Sequence, residues 1–344
     1  MSRRFLLVAF TIAPLMTDRC LAIDEVVRQG QESVRGTIKS MSSTEVSVEA
    51  VGRTTAVPST EIMAVRWDGE PPQLNLTRTR EANGDLDFAL KSYRELQGQA
   101  TAEQKNLKAD LEFLIARTLA RRAISDPAQK GAAVKALNDF VSARSDFYRY
   151  YDALQWLGRV HSAAGEYDAA KTAYGRLAAA PLPALKMAAQ NAMARIKLEQ
   201  DDLAGALADF DAVLSEPGND AATARQRFSA KLGRAIVLQK QGNQDEALKT
   251  LDEVIRQASP DDAAVQAEAF ARRGESLQAA DKEKDALLAF LHVDILFPGE
   301  TEPHAEALYH LTKLWATAGM AERSADARRR LTEQYPGSEW AKKL

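Results

Sequence analysis

The stretch QWLGRVHSAAGEYDAA, residues Gln155–Ala170, carries the reading of this chain. Counted from Tyr151, apolar Leu154 and Leu157 recur at helical spacing, with Gly158 and His161 on the same helix. Gly165 then breaks the helix, and Tyr167, Ala170, Tyr174 and Leu177 restart the spacing on a second one. Each residue type has a packing reason. Gly158 and Ala170 fall where two antiparallel helices approach closely. Gly165 ends the first helix in a backbone conformation costly for other residues. The two tyrosines fill the space between one pair of helices and the next.

The same offsets recur along the chain. From Met187 they place Met193, Ala194, Leu203, Ala206, Phe210 and Val213; from Phe228, Ala235, Gly242, Ala247, Leu251 and Val254. From Ala267 they give Phe270, Gly274, Leu277, Ala286, Phe290, Val293 and Pro298, and from Ala305, Leu308, Leu311, Trp315, Gly319, Leu331 and Pro336. Pro298 and Pro336 hold the same place, where a missing amide ends the second helix. Asp201 and Asp281 stand where the other units have the turn glycine, and Ser324 and Arg328 replace the small and aromatic residues of the last unit. A polar last helix fits a C-terminal cap, which no further repeat covers.

This pattern resembles the tetratricopeptide repeat. The resemblance implies a mainly α chain, a solenoid of antiparallel helix pairs, with regular units at 151–184, 187–220, 228–261, 267–300 and 305–338. Residues 74–150 read as degenerate units. ANGDLDFALKSYREL supplies Gly84, Leu86, Ala89, Tyr93 and Leu96 after a shortened helix. The segment around Ala136 and Phe140 has longer helices than the pattern.

Ahead of the helices, residues 23–70 alternate with period two. Val46 and Val48 interleave with Glu45, Ser47 and Glu49, and Ile62 and Ala64 with Glu61 and Met63. About five short strands are expected, with turns near Gly30, Ser42, Gly52 and Pro58, and with Gly36 where a strand bends sharply. Strands of this number and length resemble a small SH3-like or Sm-like barrel, here a β module docked on the array, although no motif in it is diagnostic.

The opening MSRRFLLVAFTIAPLMTDRCLA sets Arg3 and Arg4 before an apolar run that ends in small residues at Cys20 and Ala22. That is the order of a secretory signal over residues 1–22, cleaved after Ala22. The run is too short to span a bilayer comfortably, and Pro14 interrupts it. An uncleaved membrane anchor is the alternative. Asp18 and Arg19 are too large and charged for lipoprotein processing at Cys20. An exported chain, periplasmic or secreted, follows from this reading, and removal of the signal would remove the only cysteine.

The 344 residues are 45% hydrophobic and 27% charged, with a formal net charge of −3, so bulk charge gives no general attraction to nucleic acid. No nucleophile, metal cluster or phosphate loop with usable spacing appears. His304 and His310 are six apart, on different faces of a helix, and His161 and His292 also read as structural or solvated. The expectation is therefore no enzyme, no cofactor and no metal.

The resemblance implies that the first helix of each unit lines a concave groove. Its inward positions hold Gln155, Trp156, Arg159, Asn191, Arg195, Arg272, Tyr309, His310 and Lys313. A protein or peptide segment of acidic character would meet these cations, with Trp156 or Tyr309 covering its apolar side chains. The arginines have an alternative in internal pairing with Glu268 or Glu275. The C-terminal carboxylate clamp of chaperone-binding repeats is absent, since its places hold Gln155, Arg159, Ala192, Ser229 and Gly233. A scaffold of the bacterial cell envelope is the resulting expectation, with self-assembly as the alternative.

Overall fold

The structure, a computed structural model, describes residues 23–344, so the expected signal segment lies outside the described residues. Five antiparallel strands come first: β1 (Asp24–Arg28), β2 (Val34–Met41), β3 (Glu45–Ala50), β4 (Arg53–Pro58) and β5 (Ile62–Arg66). They pair in the order β4-β3-β2-β1-β5. Val46 and Val48 point into the core while their neighbours stay outside it, as the alternation requires. β2 serves two ladders. Val34 to Gly36 pair with β1, and Thr37 to Met41 pair with β3. The bend falls at Gly36, where a Cβ would run into the Glu49 carbonyl. Among the described residues no ladder joins β4 to β5, so the sheet curls without closing.

The β segment shares its core with the helices. Val26, Val46, Val57, Val65 and Trp67 belong to one apolar cluster with Leu74, Tyr93, Leu111, Phe113, Leu137 and Leu154. A buried polar knot fixes this junction. Asp110, 1% exposed, accepts hydrogen bonds from Trp67 Nε1 at 3.2 Å and from the Tyr148 hydroxyl at 2.8 Å. The buried Arg149 donates to the main-chain carbonyls of Ile62 at 3.4 Å and Met63 at 2.5 Å and pairs with Asp152 at 2.9 Å. Those carbonyls lie at the start of the last strand, so the guanidinium ties the sheet to the helices through backbone that any sequence would present.

Fifteen helices follow among the described residues, the first fourteen paired antiparallel: α1 (Pro72–Ala82) with α2 (Leu86–Gln99), α3 (Lys105–Ser125) with α4 (Lys130–Ala143), and α5 (Tyr150–Ala163) with α6 (Tyr167–Ala178). Then come α7 (Pro183–Glu199) with α8 (Leu203–Ser215), α9 (Ala221–Lys240) with α10 (Gln244–Gln257), and α11 (Ala263–Ala279) with α12 (Glu283–Leu296). Last are α13 (Thr301–Thr317), α14 (Ala321–Gln334) and the short α15 (Glu339–Lys342). The glycine rule of the repeat appears directly: a Cβ on Gly158 would enter the Tyr174 ring, and one on Gly274 the Phe290 ring. Phe210 instead covers Gly233 of the following unit. Asp201 and Asp281 take φ of 62° and 57°, so the left-handed turn is kept even where its glycine is missing. α9 begins at Ala221, ahead of the Phe228 expected from the pattern; its extra turns carry Arg225 to Gln29 of the β segment, at 2.8 Å.

The array returns on itself. The turn from α12 to α13, at Pro298 and Gly299, lies against Ala82 and Gly84 between α1 and α2. Arg121 of α3 donates to the Gly299 carbonyl and, at 2.9 Å, to that of Glu81. Glu81, 1% exposed, accepts from Arg117 Nε at 2.9 Å and from the Tyr93 hydroxyl at 2.7 Å. Burial pushes the Glu81 carboxyl up, but Arg117, Arg121 and the Tyr93 hydroxyl outweigh it and hold it below the usual carboxylate range. A depressed folded-state value gives stability that is present above the unfolded value and is lost as the pH falls through the folded one. Glu81→Gln should therefore cost about 2–4 kcal/mol near neutral pH, because it removes the buried carboxylate that Arg117, itself 23% exposed, and Arg121 share. Denaturant unfolding across pH should show the difference from the parent shrinking below the ordinary carboxylate range.

Candidate functional site: the inner face of the helical array

The first helices α5, α7, α11 and α13 carry charged side chains that pair with one another across helices. Arg159 of α5 pairs with Glu302 of α13 at 3.1 Å, across 143 residues of sequence. Arg195 of α7 pairs with Glu268 of α11 at 2.7 Å. Arg272 of α11 holds Glu275 at 2.5 Å and also Glu306 of α13. Repeat curvature brings these helices face to face, and the side chains that meet there have opposite sign.

The nine residues expected to line the groove divide into three kinds. Arg159, Arg195 and Arg272 do meet on this surface, but each is satisfied by an internal carboxylate. Of the two pairings open to the sequence, the internal one is what forms. Trp156 lies half-buried with the Arg159 guanidinium 4.5 Å above its ring, so the indole and the cation act as one amphipathic patch. Tyr309 packs against Trp340 with ring centroids 5.2 Å apart, and the Lys313 ammonium sits 4.2 Å from the Tyr309 ring centroid. Gln155 is partly exposed.

Asn191 departs from expectation. It is 3% exposed, and its side-chain amide donates to the Gln226 carbonyl at 2.9 Å, so it ties α7 to α9 and offers nothing to a partner. His310 is also drawn inward. Its ring stacks on Phe290 at 4.5 Å, and its Nδ1 lies 2.8 Å from Gln278 Oε1. Burial, then the nearby Arg272, Lys313 and Lys343, press its pKa down to about 4, so the ring is neutral at physiological pH. Burial raises the Glu306 carboxyl well above the usual range against the pull of Arg272, with Glu275 and Glu268 adding repulsion. The carboxylate partners Glu302 and Glu306 escaped the sequence reading, which sought cations for an acidic segment. Glu306 was legible as an acidic residue at the second position of the last unit, whereas Glu302 lies ahead of that unit's first residue.

The other histidines have structural surroundings. The buried His304 sits between Asp294, 2.9 Å away, and the Tyr335 hydroxyl, 2.7 Å away, while Arg330 grips the same aspartate at 2.6 Å. His161 bonds Glu166 at 2.8 Å, and His292 stacks on Phe270 at 4.6 Å. The short α15 lays Trp340 over Tyr309 and His310, which caps the end of the inner face.

With the repeat geometry in place, comparison with known proteins matches part of the chain to a repeat model. The tetratricopeptide repeat family matches residues 152–180 and 229–261. Those two segments are tetratricopeptide repeats. No curated protein matches it. Among solved structures, it is similar to a tetratricopeptide repeat protein from Parabacteroides merdae at 18% identity, over 79% of this chain and 95% of that one, with a TM-score of 0.46. It is also similar to a Rap protein complexed with competence and sporulation factor, at 15% identity over 78% and 76% of the two chains and a TM-score of 0.48. PilW, a type IV pilus biogenesis factor, gives 18% identity over 67% and 96%, with a TM-score of 0.39. The assignment of the repeats rests on their own residues rather than on these distant likenesses.

The ion pairs of the inner face differ in what they contribute. Arg159 and Glu302 are 42% and 55% exposed, so Arg159→Ala should change stability by no more than about 1 kcal/mol. Arg272 is 18% exposed and faces two carboxylates, one of them buried. Its replacement by alanine should cost about 3–5 kcal/mol in urea unfolding. Equal costs for the two variants would contradict this ranking.

Proposed function

We propose that this protein is a non-catalytic scaffold that binds a protein or peptide segment along the inner face of its repeats. The observation that carries the reading is a pair of aromatic–cation groups on the inward helices, Trp156 under Arg159 on α5 and Tyr309 under Lys313 on α13, with Arg195 of α7 beside them on the inward positions. Such a surface offers bidentate pairing to carboxylates beside flat apolar contact. A segment with acidic side chains would compete with Glu302 for Arg159 first, since that pair is the more exposed and the cheaper to exchange. The competition makes affinity depend on the partner's charge, with some binding energy used to displace an internal carboxylate.

Export belongs to the same reading, with the periplasm as its place and envelope assembly as its setting. Its support is the opening sequence, with Arg3 and Arg4 ahead of an apolar run and small residues at the proposed cleavage point. A second reading, self-assembly, is favoured by one observation: Leu288, Ile295 and Leu296 are 54%, 68% and 59% exposed on α12. Affinity capture from native cell envelopes should recover a protein with the parent chain and lose it with Arg159→Glu and Arg195→Glu combined. Capture of the same protein by both would place binding away from the inner face, and concentration-dependent sedimentation without capture would favour self-assembly.

A further inference from the structure

Between α11 and α13 the inner face holds a local excess of negative charge that the ion pairs do not absorb. Glu268, Glu275 and Glu306 face Arg195 and Arg272, three carboxylates against two guanidinium groups. Lys313 lies over the Tyr309 ring, Lys343 lies over the Trp340 ring and pairs with Glu339, and neither makes an ion pair with these three carboxylates, although both act on His310 through space. Arg272 takes the Oε2 atoms of Glu275 and Glu306. Glu306 is 3% exposed, and its Oε1 is buried without a hydrogen-bond partner. The His310 Nε2 is buried without a partner as well.

The imidazole is arranged for one task. Gln278 Oε1 accepts from Nδ1 at 2.8 Å, which fixes the neutral tautomer and leaves the Nε2 lone pair free. Ligand atoms of Glu275, Glu306 and His310 lie within 4.8 Å of one another. Glu306 and His310 are four apart on α13, a spacing that puts both on one helix face, and Glu275 comes from the facing helix. We propose that Glu275, Glu306 and His310 form a binding site for a divalent transition-metal ion of the zinc class, linking α11 to α13 on the inner face.

One imidazole nitrogen and two carboxylate oxygens are the donors of a four-coordinate site with one position left to water. Three protein donors, one of them nitrogen, fall short of the six or more oxygens that calcium takes. The outer hydrogen bond from His310 to Gln278 is the kind that orients a ligating histidine. The ion would supply the positive charge that the third carboxylate lacks. Arg272 holds Oε2 of both carboxylates, the unpartnered Oε1 of Glu306 remains for the ion, and the phenyl ring of Phe290 stacks on the imidazole.

The test uses the whole protein, freed of metal with a chelator and then titrated with Zn²⁺ by calorimetry and with Co²⁺ by visible absorption. The expected result is saturation at one ion per chain, a Co²⁺ spectrum of tetrahedral type, and a higher thermal unfolding midpoint with Zn²⁺ present. Glu275→Gln and His310→Ala should each weaken binding by at least about tenfold. His292→Ala, on the exposed outer surface, should leave it unchanged. Glu275 is partly exposed and its glutamine variant keeps the shape, so it decides the matter if His310→Ala does not fold. Absence of saturable binding, or binding that Glu275→Gln leaves intact, would overturn the site.

Discussion

Every later feature of this structure depends on the contact between an aromatic ring and a glycine across a helix pair. Tyr174 rests on Gly158 and Phe290 on Gly274, at distances that any side chain in place of the glycine would abolish. The contact sets how closely two helices approach, and hence the angle at which the next pair is laid down. A single pair cannot bury its apolar stripe, so neighbouring pairs stack, and small rotations accumulate into a curved array. Curvature then brings α5 opposite α13 and α7 opposite α11, where Arg159 meets Glu302 and Arg195 meets Glu268. A local packing rule thereby creates a surface whose members are more than seventy residues apart in sequence.

The β segment belongs to that construction. Its valines share a core with the first helices, and Arg149 and Asp110 stitch the two together through buried polar contacts. Buried charges of this kind are costly unless fully paired, so they specify one docking geometry more than they add net stability. The longer α9 extends the attachment by reaching Gln29. The early and late units also touch through Arg121, Gly299 and the α1–α2 turn, so both ends of the array are constrained.

The repeats were legible because their signals are local: a glycine at a turn, an aromatic and a small residue at fixed offsets. Period two in the first strands was legible for the same reason, and Gly36 could be placed at a bend because only a missing Cβ allows the Glu49 carbonyl so near. The candidate site was legible only in part. Repeat positions assign Arg159, Arg195 and Arg272 to the inward face, yet whether a cation there is free or paired depends on a helix that curvature alone brings near. Asn191 shows the same limit: an inward position by the ruler, but covered by α9, whose extra length the repeat pattern does not encode. His310 was read as a groove residue and weighed against His304 six residues away, so its four-residue spacing to Glu306 went unused.

The central claim is that the array closes on itself, so that its inner face is a shared surface of early and late units. The distance between spin labels placed at Asn83 and Leu296, both exposed, tests this most directly, since residues 23–344 contain no competing cysteine. The account predicts a single short, narrow distance between the α1–α2 turn and the end of α12. A broad distribution centred at long distance would show an open solenoid and contradict it.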